Sequence, residues 1–111
     1  MNAQKYTYTI FTPETNGGEL RFKNINSFKL KLDKAVEEGH LNILINMKNI
    51  KSVSIFFIAS SVSYSKKLRE RGGNLIFFGS NDAVKKTFEQ CKVIGIFKFF
   101  ENKETATESL K

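Results

Sequence analysis

The sequence predicts an α/β fold, a single domain over residues 1–111 in which four helices pack on a mixed sheet of about five strands. The first observation is a near-continuous apolar run from Leu41 to Met47, which is typical of a strand covered on both faces. The second is a segment of helical period that ends at Gly72 and Gly73 and is followed by a short apolar strand, Leu75–Phe78. Strand, helix and strand in this order predict a βαβ unit with a right-handed crossover.

Two strands joined by a tight turn are predicted ahead of this unit. Side chains alternate over Lys5–Thr12 as in a half-buried strand. An Asn-Gly-Gly sequence then favours a hairpin turn, because both residue types tolerate positive φ, and Glu19–Phe22 is the predicted return strand. A helix follows, with Asn24 or Asn26 as its N-cap. Its apolar residues recur on one face at helical spacing: Ile25, Phe28, Leu32, Ala35 and Val36.

The remaining elements follow the first strand of the βαβ unit. Ser54 is the predicted N-cap of the middle helix. A loop over Gly79–Asp82 leads into a third helix, Ile96–Phe100 forms a last short strand, and Thr105–Leu110 forms a terminal helical turn or two. The predicted order of elements is therefore β-β-α-β-α-β-α-β-α.

Composition narrows the class of protein. Hydrophobic residues at 41% and charged residues at 26% are typical of a globular domain. The sequence has no apolar run of membrane-spanning length. Residues Met1–Lys5 lack the apolar core of a secretory signal, so the expected location is the cytoplasm.

Residues that carry chemistry are few. The single cysteine, Cys91, lies in a helical pattern and is interpreted as a small core residue rather than a nucleophile. The single histidine, His40, has no cysteine or carboxylate cluster around it, so neither a metal site nor a cofactor is predicted. No phosphate-binding glycine-rich loop and no acid–base pair in an apolar setting is present. We therefore expect no enzymatic activity.

The formal net charge of +7 raises the alternative of nucleic-acid binding. The basic residues are interleaved with carboxylates along two predicted helices, which is typical of solvated faces rather than of a phosphate-binding stripe, so this function is not favoured. A second alternative is a binder of apolar ligands. Its pocket would be walled by Phe77, Phe97 and Phe99.

The order of elements resembles that of a known family. Four segments carry the likeness. They are GEL at Gly18–Leu20, INMKNI at Ile45–Ile50, RERGGNL at Arg69–Leu75 and VIGIF at Val93–Phe97. Together they resemble the STAS domain of bacterial anti-sigma-factor antagonists over nearly the whole chain. The resemblance implies a protein-binding switch module rather than an enzyme. Family members of this kind bind a kinase-type anti-sigma factor, and phosphorylation of one serine at the start of the second helix releases them.

This sequence departs from the family at that serine. The family's Asp-Ser-Ser-Gly pattern aligns with Ser54, Ile55, Phe56 and Phe57, which places Phe56 at the phosphoacceptor position. The aspartate that ends the preceding strand in the family is Asn46 here. Since phenylalanine has no hydroxyl, the resemblance implies a module that is not phosphoregulated at the usual position. Ser54 is either the helix N-cap or, if the loop is shifted by a residue or two, a displaced phosphoacceptor.

The middle helix carries two apolar ridges on a helical wheel. We assign the ridge of Ile55, Ile58, Ala59 and Val62 to the sheet. The other ridge holds Phe57, Tyr64 and Leu68. It either packs on a neighbouring helix or, together with Phe56, is partly exposed and anchors a partner, because aromatic residues dominate binding hot spots.

The predicted function is therefore an intracellular protein-interaction module. Its protein partner would be a kinase-like anti-sigma factor or a component of a signalling complex. The predicted contact surface is the start of the second helix together with the loop beside it: Ser54, Phe56, Phe57, Ser60, Tyr64, Gly79, Ser80 and Asn81.

Overall fold

Strands and helices alternate along residues 7–111, the part of the chain that the structure, a computed structural model, describes. The four strands of this part are β1 (Thr9–Phe11), β2 (Asn42–Asn46), β3 (Asn74–Phe78) and β4 (Lys98–Phe100). Its four α-helices are α1 (Phe22–Glu37), α2 (Ile55–Glu70), α3 (Asp82–Gln90) and α4 (Lys103–Glu108). The predicted α/β class and the βαβ unit β2–α2–β3 are confirmed.

The strands form one parallel sheet in the order β1-β2-β3-β4. In the central pair, Ile45 of β2 lies opposite Phe77 of β3. Each strand is joined to the next through a helix, and such crossovers are what parallel pairing requires. The C-terminal ends of the strands and the first turns of α1, α2 and α3 therefore lie at one edge of the sheet.

Helices cover both faces of the sheet. Ile43 and Ile45 of β2 face the larger core, which they share with α1, α2 and α3. Leu44 between them points to the opposite face, where it packs with Ile76 and with Ala106 of α4. Alternation along a strand explains this division, because successive side chains point to opposite faces. Three helices thus lie on one side of the sheet and α4 lies on the other.

The predicted hairpin is wrong. The turn itself forms, with Gly17 and Gly18 at positive φ and an isolated bridge between Asn16 and Glu19. Beyond the turn, however, the chain pairs with the connection between β2 and α2: the Lys51 amide donates to the Gly18 carbonyl, at 2.8 Å. The sheet over the described residues consequently has four parallel strands, rather than about five in a mixed arrangement.

The first strand and the first helix also differ in their limits from the prediction. β1 is shorter than the predicted Lys5–Thr12, whose first two residues lie outside the described part of the chain. α1 begins at Phe22, inside the predicted return strand, so neither Asn24 nor Asn26 is its N-cap. Instead the Asn24 side-chain oxygen reaches back to accept a hydrogen bond from the Arg21 amide, at 2.9 Å. This bond satisfies a backbone donor at the start of the helix.

Phenylalanine rings fill the larger core. The Phe77 ring lies 5.2 Å from that of Phe97 and 5.4 Å from that of Phe99, centroid to centroid, and Phe88 contacts all three. The three rings predicted to wall a ligand pocket therefore pack against one another, at separations typical of aromatic contacts.

Candidate functional site

The start of α2 presents two apolar side chains to solvent. Ile55 is 64% exposed and Phe56 is 65% exposed, although both belong to the first turn of a helix that packs on the core. Ser54 precedes them as the N-cap, and its hydroxyl oxygen accepts a hydrogen bond from the Phe57 amide at 3.4 Å. The predicted capping role of Ser54 is confirmed. The cap fixes the direction in which the first turn displays its side chains.

Phe57 and Tyr64 do not belong to this exposed surface. Phe57 is fully buried, its ring 5.1 Å from that of Phe28 in α1 and 6.3 Å from that of Phe77 in β3. Tyr64 is only 4% exposed. The prediction that these two rings are partly exposed is wrong, and their ridge packs on the neighbouring helix, as the alternative prediction had it.

The sheet-facing side of α2 explains the error. Of the ridge assigned to the sheet, Ile58 is buried in the larger core and Val62 packs against it, but Ile55 and Ala59 are exposed. The buried side includes Ser61 and Ser65 instead. The Ser61 hydroxyl donates to the carbonyl of Phe57 at 2.9 Å, so its burial leaves no unpaired donor. Small serine side chains let this side of the helix approach the core closely.

The Tyr64 hydroxyl links α2 to α1. It donates a hydrogen bond to the Asp33 carboxylate and lies 3.2 Å from the Lys29 carbonyl oxygen. Burial raises the pKa of Tyr64 well above its ordinary value, and the hydrogen bond to Asp33 and the charge of that carboxylate raise it further. Tyr64 is therefore a neutral donor whose aromatic ring closes the space between the two helices.

A groove of about 470 Å³ runs between α1 and α2 above this tyrosine. Its walls carry two lysines, two serines, an aspartate and an alanine: Lys29, Asp33, Ala59, Ser60, Ser63 and Lys67, with Tyr64 completing the lining. The Lys67 ammonium lies 5.0 Å from the centre of the Tyr64 ring, within the range of a cation–π contact. Ser60, predicted as a contact residue, is half-buried in this wall.

Exposed phenylalanines continue both walls toward the helix starts. On α2, Phe56 lies on the same helical stripe as Ser60, Ser63 and Lys67, since these positions are three or four residues apart. On α1, Phe22 lies in the same way on the stripe that holds Lys29 and Asp33, and it is 77% exposed. We call the groove and these two rings the α1–α2 groove.

The loop between β3 and α3 lies beside the segment that enters α2. Asn81 caps α3 by accepting a hydrogen bond from the Val84 amide, and its side-chain amide donates to the carbonyls of Ile50 and Lys51 at 3.2 Å each. The half-buried Ser80 carries a hydroxyl oxygen that is buried and has no hydrogen-bond partner within residues 7–111.

Gly79 brings the same loop close to the end of β2. Its φ is +77°, and a β-carbon at this position would lie 2.6 Å from the side chain of Lys48. The loop is thus adjacent to the β2–α2 connection, as the prediction of one joint contact surface requires. That these loop residues contact a partner stays a prediction.

Groups suited to catalysis or metal binding are sparse in the described part. No cluster of three or more histidine, cysteine, aspartate or glutamate residues lies within it in a metal-binding arrangement. Asn46, the last residue of β2, accepts a hydrogen bond from the Lys48 amide through its side-chain oxygen, at 3.1 Å, and its side-chain nitrogen donates to Thr12 at 3.3 Å. The side chain at this position therefore braces two loops.

His40 binds another part of the chain. Its Nδ1 lies 2.5 Å from the Thr9 hydroxyl, and its Nε2 lies 3.5 Å from a Glu38 carboxylate oxygen. These contacts join the exit of α1 to β1, at the end of the sheet opposite the first turn of α2.

None of the helices within residues 7–111 combines the length and apolar character needed to cross a membrane.

Sequence reasoning missed the residues of α1 that build the groove. The sequence predicts a strand at Phe22 and a solvated face for the charged residues Lys29 and Asp33, whereas all three belong to α1. The spacing of Phe56, Ser60, Ser63 and Lys67 is visible in the sequence as a single helical stripe. The α1 wall has no comparable signal, because it depends on how the two helices are placed side by side.

Comparison with known proteins identifies the fold. The family model of the STAS domain matches residues 14–106. TM1081 of Thermotoga maritima, a candidate anti-sigma factor antagonist, is similar in structure with a TM-score of 0.80 and 20% sequence identity, over 93% of this chain and 86% of that chain. The anti-sigma factor antagonist SpoIIAA of Bacillus, in its unphosphorylated form, gives a TM-score of 0.77 at 15% identity, over 93% of this chain and 87% of that chain.

A third similar structure comes from another functional setting. A sulfate transporter family protein from Wolinella succinogenes gives a TM-score of 0.75 at 15% identity, over 93% of this chain and 84% of that chain. At these identities the likeness shows a shared fold. A search of curated proteins found no match to this sequence.

Proposed function

Because the chain belongs to the STAS domain family, we propose that it is a protein-interaction module that binds its partner through the first turn of α2 and is not switched by phosphorylation there. The single observation that carries the proposal is the exposure of Ile55 and Phe56 at this turn. A phenyl ring that is 65% exposed, on a helix whose other side packs in the core, is the type of side chain that anchors protein–protein contacts.

The partner class we propose is an anti-sigma factor or a related component of a signalling complex that regulates transcription. Support comes from TM1081 and SpoIIAA, which share this fold and are named as candidate and established anti-sigma factor antagonists. Ser54, Ser60 and the Gly79–Asn81 loop complete the proposed contact surface around Phe56. Phe57 and Tyr64 support that surface from the core.

The absence of a phosphorylation switch follows from the residue at the exposed position. Phe56 has no hydroxyl, and the neighbouring Ser54 hydroxyl oxygen is engaged with the Phe57 amide. A helix N-terminus attracts phosphate through its free N–H groups, but the first turn here carries two exposed apolar side chains and no phosphorylatable hydroxyl. Binding is therefore constitutive in this proposal, and its strength depends on apolar contact rather than on a covalent modification.

Affinity capture with matched variants tests the proposal. Wild-type protein, Phe56→Asp and Leu30→Asp are used as baits in the native cytoplasm, and bound proteins are identified by mass spectrometry. Leu30 is the control because it is 69% exposed on α1 and lies outside the α1–α2 groove. We expect a partner that is retained by wild type and Leu30→Asp and lost by Phe56→Asp. Equal recovery by all three baits would refute the contact surface.

The same samples report the modification state. We expect the chain purified from its host to carry no stoichiometric phosphate on Ser54 or on any other serine of α2. Intact-mass and peptide mass spectrometry measure this directly, with and without phosphatase treatment. A fully phosphorylated Ser54 would show that the acceptor has moved along the chain and that the module is switched after all.

A further inference from the structure

The α1–α2 groove combines an apolar end with a cationic end. Helical spacing places Phe22 and Phe56 at the helix starts, on the same stripes as the groove lining. Lys29 and Lys67 lie farther along and belong to that lining. From Phe56 to Lys67 there are eleven residues of α2, which corresponds to about 16 Å of helix. On α1, Lys29 lies seven residues beyond Phe22. A single elongated surface therefore offers aromatic contact at one end and two ammonium groups about two to three turns away.

Basic residues outnumber acidic ones on the two helices that form the groove. Together α1 and α2 carry seven basic and three acidic residues. Two of the acids, Glu37 and Glu70, are the last residues of their helices, far from the groove's apolar end. The third, Asp33, lies in the groove wall, where it accepts the hydrogen bond of the Tyr64 hydroxyl, so the wall itself holds two lysines and one carboxylate. The surface thus favours an occupant with carboxylates at its cationic end.

We infer that the α1–α2 groove is the docking site for an acidic amphipathic helix of the partner protein. The helix would place apolar side chains against Phe22 and Phe56 and carboxylates, two to three turns farther on, against Lys29 and Lys67. A furrow between two helices receives a third helix by ridge-into-groove packing. The hydroxyls of Ser60 and Ser63 line the furrow between the two ends and supply hydrogen bonds to the docked helix. This inference rests on the proposed function, because it names the chemistry of the partner that Phe56 contacts.

Designed peptides test the charge requirement without the natural partner. Three capped helical peptides of about 18 residues, long enough to form isolated helices, share the same leucines in their first turn. They carry glutamate, glutamine or lysine at the positions that would face Lys29 and Lys67. We expect the glutamate peptide to bind about tenfold more tightly than the glutamine peptide, the factor that two partly exposed ion pairs supply. Amide NMR shifts should change at Ser60, Ser63 and Lys67.

Charge reversal supplies the decisive variants. The double variant Lys29→Glu with Lys67→Glu should lose its preference for the glutamate peptide and bind the lysine peptide instead. The matched control is Lys98→Glu with Lys103→Glu, an identical charge change on β4 and α4, which should bind the glutamate peptide as wild type does. Circular dichroism of both variants establishes that the fold is retained.

Several results would overturn the inference. They are equal binding of the glutamate and glutamine peptides, no binding of the glutamate peptide at millimolar concentration, or an unchanged preference in the Lys29 and Lys67 double variant. Tighter binding of a short single-stranded oligonucleotide, lost in the same double variant, would instead assign the groove to nucleic acid.

Failure of this inference is distinguishable from failure of the proposed function. If the captured partner is lost by Phe56→Asp but retained by the Lys29 and Lys67 double variant, the α2 contact surface stands and the acidic helix is refuted. If Phe56→Asp still captures the partner, the proposed function fails whatever the peptides do.

Discussion

The Tyr64 hydroxyl donates a hydrogen bond to the Asp33 carboxylate, and this contact joins α2 to α1 beneath the groove. The tyrosine comes from the helix whose first turn displays Phe56, and the aspartate from the helix that begins with Phe22. The bond therefore holds the two walls of the proposed docking site in register. Its loss should affect stability and binding together.

Stability should fall at high pH through Tyr64. Its pKa is raised in the folded protein, so above about pH 10 the unfolded chain loses this proton while the folded chain keeps it. The contribution is fully present below about pH 10 and disappears as the pH rises toward the folded pKa. Urea unfolding of wild type and Tyr64→Phe over this range should show the stability difference between them shrinking with pH. A constant difference would mean that the Tyr64 pKa is not raised.

Phe57→Ala should mainly reduce stability, whereas Phe56→Ala should mainly weaken partner binding. Truncating the fully buried Phe57 should lower the free energy of unfolding by about 3–5 kcal/mol, because it leaves a cavity among Phe28 and Phe77. Truncating the exposed Phe56 should change stability by less than about 0.5 kcal/mol but weaken partner binding. Denaturant unfolding and the capture assay measure the two effects. Equal losses of stability would contradict the different placement of the two rings.

Gly73→Ala should be strongly destabilising, and Gly95→Ala should not. A β-carbon at Gly73 would lie 2.0 Å from the Leu41 carbonyl oxygen, which accepts the Asn74 amide at 2.9 Å where β2 and β3 begin to pair. Relief of this clash must move backbone, and we expect a loss of about 3 kcal/mol. A β-carbon at Gly95 meets no atom within 4 Å, so thermal unfolding of Gly95→Ala should match wild type closely.

Two serine-to-alanine changes at the proposed contact surface should affect stability differently. Ser54→Ala removes the N-cap of α2 and should cost about 1 kcal/mol. Ser80→Ala removes a buried hydroxyl oxygen that has no partner in the described chain, so stability should be unchanged or slightly increased. Chemical denaturation of both variants measures the difference. A destabilised Ser80→Ala variant would show that this hydroxyl makes a hydrogen bond in solution.

Local signals in the sequence predicted the extent of α2 well. Ser54 caps its start, and Gly72, at a φ of +81°, follows its end. They could not predict which side faces inward, because α2 has two apolar ridges and the choice depends on the packing of Phe57 and on the burial of Ser61. Tertiary contacts, rather than helical periodicity, set the rotation of this helix.

The error at the hairpin has a similar origin. The turn at Gly17 and Gly18 was correctly recognised, but the strand that pairs beyond a turn depends on distant residues. Here the Gly18 carbonyl is taken by the Lys51 amide, more than thirty residues away, and Phe22 is released to begin α1. Because Phe22 begins α1 instead of ending a strand, it lies at the candidate site. The sequence pattern, which predicts a strand at Phe22, therefore did not predict the α1 wall of the groove.

The order of strands in the sheet bears on how the protein is made. Each strand pairs with the one that precedes it in the described chain, so no strand has to wait for a partner encoded much later. During synthesis, β1 with α1 can serve as a template on which β2 with α2, and then the later units, are added one at a time as they leave the ribosome. Both walls of the groove belong to the first two of these units. They are therefore synthesised before β3, α3, β4 and α4.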